Sequence, residues 1–520
     1  MTKTIENNQP KVSHADKLFC CSMLFSFVKV GIPLNKIDSM RSDLEYIGKK
    51  SLEQSGDLKA NYILTLLKAE MNLQCEELKD KRISFFFDAT PRLGDVFNII
   101  ARFVGITHGG KVYVRQRLIN VSFLQKSMDA ESVCGEISSS LSRRRLIHVD
   151  ATSVSVDACS VNLRAMQMIK DSYNLNWFTN LCLSHLANNV GNCAKFVILS
   201  QVWSLLQKIF KTSVNAKPEW ENMTGSAWKS YSETRWYSQF EVLKDVYDKF
   251  PDLEPFLLRL IETNTSVANA NRLYEMLIEE VKRRFIKIEL AAMVGCLEPM
   301  CKFCYKMEGD GQLVFLAGKR VDELHTHYND GVDLPTLPSV RRLVQESLEF
   351  MQGNEAYVRP PANIPPPLTF QQIQAANPCP RRQAAINGVN AAVGALMTDA
   401  QRQNRDRRAA VEFNRMLEAH QAQVDAAIAQ AADDMTRYPP QTVEEWSQHV
   451  SAGIKPTIDY LFSRISLGGE RYQMVQFYRA ARIFDPMYAV TIDYETARTK
   501  IKQLRVYDAL NEDNTIAKLI

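Results

Sequence analysis

The stretch Arg82-Ile-Ser-Phe-Phe-Phe-Asp-Ala-Thr90 decides how the rest of the chain is interpreted. Large apolar residues occupy every second position of this run, a pattern typical of a buried strand. Asp88 ends the run, and a carboxylate held on rigid backbone suits a hard cation such as Mg²⁺. The same residue type also caps tight turns, here the turn into Pro91. The stretch therefore predicts a core strand that ends either in a metal ligand or in a capped turn.

A second acidic residue ends a second predicted strand, in Val154-Ser-Val-Asp157, and a helix follows directly. If the two strands are neighbours, Asp88 and Asp157 could hold a pair of divalent ions. Such a pair activates an attacking oxygen and stabilises a departing one during phosphoryl transfer. The alternative is that Asp157 caps the helix that follows it.

Size and composition restrict the class of protein. A chain of 520 residues with 46% apolar residues predicts two or three folded domains. The net charge of +4 is too small to indicate nucleic-acid binding by itself. Eleven scattered cysteines, an odd number, indicate reduced thiols. The apolar run at 19–28 is too short for a membrane span, which needs about 20 residues, so we expect a nuclear or cytosolic protein.

The order of predicted elements indicates an α/β fold. Residues 1–80 form a helical N-terminal region, and residues 81–212 form the core. Three strands with short connections predict an antiparallel meander, and later strands that alternate with helices predict parallel β–α–β units. The predicted strands cover 82–89, 96–104, 111–123, 149–157 and 177–183, and the predicted helices 129–146, 161–173 and 187–210. A mixed sheet with helices on its faces is expected.

The remainder is predicted to be helical. Residues 213–352 show apolar residues at helical spacing and form a helical insertion domain. Residues 353–440 form a low-complexity insert: a Pro-rich extended linker, within 351–380, precedes an Ala/Gln-rich, exposed helical arm at 383–435. The arginine cluster at 402–408 in that arm indicates a solvated face. Residues 441–520 form a C-terminal helical part.

Two further motifs carry candidate functional residues. Cys182-Leu-Ser-His185 has the spacing of a zinc ligand pair, but two more ligands are needed, so a buried polar pair that fixes a loop is the favoured alternative. The pair Cys301 and Cys304 is interpreted as core thiols. Arg235 and Trp236 could hold a phosphate and stack on an unpaired base, or Trp236 could simply fill a packing seam.

These motifs, in this order, resemble the hAT superfamily of DNA transposases. The resemblance covers roughly residues 15–330 and 445–490. The segment 31–37 is similar to the branch related to the CGG-repeat-binding protein. The motifs are Phe87-Asp88-Ala-Thr, Val156-Asp157-Ala-Cys, Cys182-Leu-Ser-His185, Thr234-Arg-Trp236-Tyr-Ser and Ala481-Arg-Ile-Phe-Asp-Pro486.

The resemblance implies an RNase H-like core in which Asp88 and Asp157 are the first two acids of a DDE triad. It implies Mg²⁺ or Mn²⁺ as cofactor, transposon-end DNA as partner, and a homo-oligomer. It also implies that Trp236 stacks on a flipped base within the helical insertion, beside Arg235. Cys182 and His185 match a C-x-x-H element of the family.

The chain departs from the family pattern in two places. No zinc-finger set of cysteines and histidines precedes residue 75, and no motif for the third acid is found, since Glu470, Glu495 and Glu512 lack its context. We therefore expect a truncated or repurposed copy that binds DNA, lacks autonomous activity and oligomerises weakly. No zinc is expected. The alternative is a non-enzymatic scaffold protein domesticated from a transposase.

Overall fold

The computed structural model describes most of the chain as two compact units. The described residues are 13–29, 32–90, 95–106, 109–124, 129–146, 151–175, 177–232, 235–263, 267–308, 313–329, 337–354, 368–379 and 399–504. The first unit holds the chain up to Leu181, and the second begins at Cys182. The sequence had placed a boundary at residue 212.

A five-stranded mixed sheet lies at the centre of the first unit. Its strands are β1 (Ile83–Thr90), β2 (Asp95–Ile106), β3 (Val112–Leu124), β4 (Ala151–Val156) and β5 (Phe178–Leu181). They are ordered β3-β2-β1-β4-β5. β2 pairs antiparallel with β1 and with β3, and β4 pairs parallel with β1 and with β5. The predicted antiparallel meander and the parallel units that follow it are both confirmed.

Alternation along β1 separates a buried face of the sheet from a polar one. Phe85 and Phe87 are buried, and their rings stack 6.1 Å apart. The residues opposite them on β2, Ala101 and Ile99, are buried too. Val154 on β4 lies in register with Phe85 and is fully buried. One face of the sheet is thus a continuous apolar core, which the alternation of β1 predicted.

Helices precede and follow the strands in the first unit. α1 (His14–Lys29), α2 (Lys36–Gly48) and α3 (Ser55–Leu58) lead through a π-helical turn (Lys59–Ile63) into α4 (Leu64–Leu78). They enclose a small core of their own around Cys20, Leu24 and Leu58, so the predicted helical lead-in is confirmed. α5 (Ala130–Arg143) and α6 (Ser160–Tyr173) pack on each other and flank β4 in the chain.

The second unit is built from helices in every part that the structure describes. They are α7 (Leu183–Asn192), α8 (Val197–Thr212), α9 (Ala216–Thr224), α10 (Trp236–Asp248), α11 (Phe250–Glu262), α12 (Val267–Ile278), α13 (Glu280–Met307), α14 (Leu313–Asn329), α15 (Pro338–Gln352), α16 (Phe370–Ala376), α17 (Asp399–Arg437), α18 (Val443–Ile465), α19 (Tyr472–Ala481), α20 (Pro486–Ala489) and α21 (Tyr494–Leu504). The long α13 is buried along most of its length and forms the centre of this unit.

One predicted helix is divided into two. The single helix expected at 187–210 is wrong, because the chain breaks between α7 and α8 at Cys193–Phe196. In the break, the Lys195 N–H donates to the Gly453 carbonyl of α18 at 3.2 Å. A carboxylate from α13, Glu289, accepts the Leu199 N–H at the start of α8 at 2.6 Å. Both partners are distant in sequence, so local periodicity did not reveal the break.

The predicted linker and exposed arm contain packed helices. Within the predicted linker, α16 buries Phe370 and Ile373 in the core of the second unit, while residues 355–367 lie outside the described residues. The arm is not exposed along its whole length, because α17 buries Val424, Ile428 and Met435 in the same core. These residues recur at helical spacing, so the buried side of this helix was visible in the sequence. Of the arginine cluster, only the side chain of Arg408 is described, and it is exposed.

Within the described residues, none of the helices has both the length and the apolar character required to cross a membrane.

Candidate functional site

The two aspartates lie at matching positions on neighbouring parallel strands. β1 and β4 are in register through Phe86 and Ser155, and Asp88 and Asp157 each follow two residues later. Adjacent strands lie about 4.8 Å apart, and residues two apart share a face. Continued for two residues beyond Phe86 and Ser155, this register would place Asp88 beside Asp157 on the same face, at the C-terminal ends of the two strands.

The face that carries the aspartates is polar. The hydroxyls of Ser84 and Ser153, in register on β1 and β4, hydrogen-bond at 2.8 Å. The amide of Asn180 on β5 donates to the Ser155 hydroxyl at 3.3 Å. Asn98 of β2 lies opposite Asp88. This face therefore carries hydroxyl and amide groups from four strands, together with Phe86 and Ile100, and the serine pair lies four residues before the two aspartates along the strands.

The alternative role of Asp157 as a helix cap is wrong. The residue that caps α6 is Cys159, whose Sγ accepts the Asn162 N–H at 3.4 Å. At the start of α6, Asp157 contributes its main-chain carbonyl, which accepts the Asn162 side-chain amide at 3.4 Å. The Asp157 carboxylate is half-buried beside the end of β4. For Asp88, the alternative rests on a turn at 91–94, which lies outside the described residues.

Two carboxylates are fewer ligands than a metal site of this kind needs from its surroundings. They are the ligand type that Mg²⁺ and Mn²⁺ prefer. In the described part of the chain, no group of three or more His, Cys, Asp and Glu side chains could hold a metal ion together. Of the later acids, Glu470 pairs with Arg464 and Arg471, and Glu495 pairs with Arg498. Glu512 lies outside the described residues.

Cys182 and His185 form a hydrogen-bonded pair at the start of α7. Burial raises the pKa of the Cys182 thiol, but the hydrogen bonds and the charge of His185 outweigh burial and lower the pKa below its ordinary value. This is the arrangement in which a histidine partner favours the thiolate. The contact therefore lowers the pKa of the Cys182 thiol in addition to joining the two side chains.

The two cysteine motifs, which are 119 residues apart in sequence, meet in the second unit. Ser184 Oγ lies 3.3 Å from Cys304 Sγ near the end of α13, and it donates to Glu308 Oε1 at 2.6 Å. Burial raises the pKa of Cys304 to about 11, and those of Cys296 and Cys301 to about 12. The buried thiols of α13 thus stay protonated, as expected of core cysteines.

Arg235 and Trp236, at the start of α10, differ in accessibility. The Arg235 side chain is 59% exposed. Its guanidinium donates to the Tyr237 hydroxyl at 2.5 Å and lies 3.6 Å from Glu308, and the Tyr237 contact raises its pKa further. Trp236 is only 3% exposed and packs on Phe240, with ring centroids 5.4 Å apart. Stacking of this indole on a base therefore requires that the ring leave its packing site.

The sequence did not reveal a second polar centre in the helical unit. Glu289 of α13 is fully buried, and its Oε1 lies 2.9 Å from His449 Nε2 of α18. His449 lines a cavity of about 780 Å³ together with Lys195 and residues of α16, α17 and α18. No motif relates Lys195, Glu289 and His449, which are spread over more than 250 residues, so only the tertiary structure shows this grouping.

Comparison of the sequence with protein-family models and with curated proteins finds no significant match.

Proposed function

We propose that this chain is a transposase-derived protein of the hAT type, with an RNase H-like core that binds a divalent metal ion and DNA. The observation that carries the proposal is the parallel register of β1 and β4, in which Phe86 pairs with Ser155 and Asp88 and Asp157 each follow two residues later. Two carboxylates on one sheet face are the minimum set from which a phosphoryl-transfer metal site is built.

The topology of the sheet supports the same proposal. Three antiparallel strands followed by parallel β–α–β units form the mixed sheet expected of an RNase H-like core. A helical unit follows the sheet in the chain, as the resemblance implies. The exposed guanidinium of Arg235 supports DNA as a partner, because an arginine at the surface can contact a phosphate.

Asp88 and Asp157 would be the residues that hold Mg²⁺ or Mn²⁺. When bound, such an ion activates an attacking oxygen and stabilises charge on the leaving oxygen. The contribution of the chain itself is to hold the two carboxylates on neighbouring strands, where they are fixed before the ion arrives. With two acids and no third acid beside them among the described residues, the proposed ancestral strand-transfer activity is expected to be lost.

A non-enzymatic scaffold is the second candidate function. Two observations favour it: the described residues contain no group of three metal-binding side chains, and Trp236 is packed in the core of the second unit. A scaffold would keep the fold and lose the metal. Metal binding at the aspartates therefore separates the two candidates.

Titration of the full chain with Mn²⁺ by calorimetry tests the proposal. We expect saturable binding that weakens about ten-fold or more in Asp88→Asn and in Asp157→Asn, because each amide removes one charged ligand. Asp171→Asn is the matched control, since Asp171 is an exposed acid of α6 in the same unit and is bonded to Gln167. Absence of binding, or binding that neither aspartate variant changes, would favour the scaffold and reject the metal site.

A further inference from the structure

The helical unit contains a cavity of about 780 Å³ that the proposed DNA chemistry does not use. Its walls come from the α7–α8 break, α16, the end of α17 and the first half of α18. A cavity of this volume is within the range of small-ligand sites, which are commonly about 300–1,000 Å³. Three aromatic side chains line it: Phe196, Phe370 and Tyr438.

Lys195 supplies a cation to the cavity. Among the described residues, no carboxylate lies within 4 Å of its ammonium, which instead lies 5.7 Å from the centre of the Phe370 ring. Burial lowers the pKa of Lys195, because an ammonium held away from water without an opposite charge is destabilised. A ligand with a negative charge would remove that penalty.

Arg437 is a second cation at the cavity, and it also lacks a carboxylate partner among the residues described. Its guanidinium lies 5.5 Å from the centre of the Tyr438 ring. The two acids that line the cavity are already engaged. The Glu445 carboxylate accepts the Gln441 N–H at 2.6 Å, and Asp434 accepts the Gln430 amide at 3.0 Å. These neutral donors do not cancel the carboxylate charges, so the formal charges of the four lining residues sum to zero. The unmatched positive charge is local to Lys195, because its ammonium has no carboxylate within 4 Å among the described residues.

His449 is held in a fixed orientation at the cavity wall. The Glu289 carboxylate is fully buried and bridges the Leu199 N–H and the His449 ring. Since a carboxylate can only accept, Nε2 of His449 carries the proton toward Glu289. In the neutral ring Nδ1 is then an acceptor, so His449 offers the cavity a fixed imidazole and no donor for an anionic oxygen.

A neutral hydrogen-bond donor, the Gln371 amide, lies beside the charged groups of the cavity wall. The Gln371 side chain lines the cavity, and its Nε2 is buried without a hydrogen-bond partner in the described structure. A buried donor left unpaired is destabilising compared with one that is hydrogen-bonded. The amide therefore gains most from an acceptor atom that enters the cavity, such as an oxygen of a carboxylate or phosphate.

We propose that this cavity binds a small anion attached to an aromatic ring, with Lys195 and Gln371 holding the anionic oxygens and Phe370 and Tyr438 packing on the ring. His449, oriented by Glu289, forms part of the cavity wall beside these groups. The anionic group is a carboxylate or a phosphate monoester, since the same donors recognise both. The site is independent of Asp88 and Asp157 and lies within the second unit alone.

The test is calorimetric titration of the full chain with 1-naphthoate, 1-naphthyl phosphate and the neutral 1-naphthalenemethanol. We expect saturable binding of at least one anion and binding of the neutral alcohol that is at least ten-fold weaker. The tighter of the two anions identifies the anionic group. Lys195→Met should weaken anion binding about ten-fold or more, which corresponds to about 1.4 kcal/mol or more, because one charge-assisted hydrogen bond is lost.

Two controls make the result specific. Lys455→Met removes an exposed lysine of α18, a helix that contributes to the cavity wall, and Lys455 itself does not line the cavity, so binding should be unchanged. Thermal melting should show that Lys195→Met is folded, since an apolar side chain replaces a desolvated cation. Equal binding of the anions and the alcohol, equal loss in both lysine variants, or no binding of either anion would overturn the proposal.

Discussion

The indole of Trp236 packs directly on the backbone of Gly191, so that a Cβ atom at residue 191 would overlap the ring. Gly191 lies in α7 and Trp236 begins α10, so this contact joins two helices of the second unit. The Asn188 side chain accepts the Trp236 N–H at the same place. The residue that the resemblance assigns to DNA is thus also a packing residue, and the two roles predict different outcomes on mutation.

Gly191→Ala should destabilise the second unit by about 1–3 kcal/mol, because the methyl group forces the indole out of its packed position. Urea denaturation followed by circular dichroism measures the change. Gly135→Ala is the control: Gly135 lies within α5, and a Cβ there meets no atom within 4 Å. That variant should be neutral or gain about 0.5–1 kcal/mol of helix propensity. Equal effects of the two substitutions would contradict the close approach.

Trp236→Ala should cost about 3–5 kcal/mol of folding stability, as expected when a large buried ring is removed. Trp236→Phe should cost less, since a ring remains against Gly191. If the indole also stacks on a base, Trp236→Ala should reduce the affinity for single-stranded DNA more than Gly191→Ala does at temperatures where both variants are folded. A loss of affinity that only follows the loss of stability would restrict Trp236 to packing.

Arg235→Ala should weaken the binding of duplex DNA. It should also reduce the magnitude of the slope of log K against log salt concentration by about one, the value for one lost phosphate contact. Filter binding or fluorescence anisotropy at several salt concentrations between about 50 and 200 mM measures both the affinity and the slope. Arg259→Ala is matched in exposure, since the Arg259 side chain is 58% exposed on α11. An unchanged slope in Arg235→Ala would remove this residue from the DNA surface.

Cleavage of end-containing DNA in the presence of Mn²⁺ should not exceed background, because two carboxylates hold the catalytic ions poorly without a third. The measurement is a gel assay of labelled ends over several hours with excess protein. Asp88→Asn provides the comparison. Strong cutting by the natural chain that disappears in the variant would show that a third ligand exists and that the chain is an active enzyme.

Local patterns predicted the sheet, because apolar and polar residues alternate within each strand and this alternation identifies the buried side of the strand. Phe85 and Phe87 needed no distant partner to be recognised as core residues. The parallel pairing of β1 with β4, on which the proposed approach of Asp88 to Asp157 depends, was expected only from the order of the strands.

The rest depends on contacts between distant segments. The break before α8 depends on Gly453 and Glu289, and the approach of Ser184 to Cys304 depends on the packing of α7 against α13. The interpretation of α16 and α17 was wrong because it relied on Pro and Ala/Gln content. It gave too little weight to the apolar residues Phe370, Ile428 and Met435, which are buried in the core.

Cys182 should be alkylated by iodoacetamide at a lower pH than other half-buried cysteines of the chain, because His185 favours its thiolate. Cys193 is the matched comparison: it is also half-buried, but burial raises its pKa. Peptide mapping by mass spectrometry after short pulses at different pH values gives the profile of each thiol. In His185→Ala the midpoint for Cys182 should move upward, while that of Cys193 stays unchanged.

The same pair predicts how stability depends on pH. A thiol whose pKa is lowered by folding contributes stability above its unfolded pKa, and this contribution is lost as the pH falls through the lower, folded pKa. The natural chain should therefore be more stable than His185→Ala at alkaline pH, and the difference should shrink as the pH is lowered. Urea midpoints from pH 6 to pH 9 measure it. A difference that is constant across this range would show that His185 contributes packing and a hydrogen bond without favouring the thiolate.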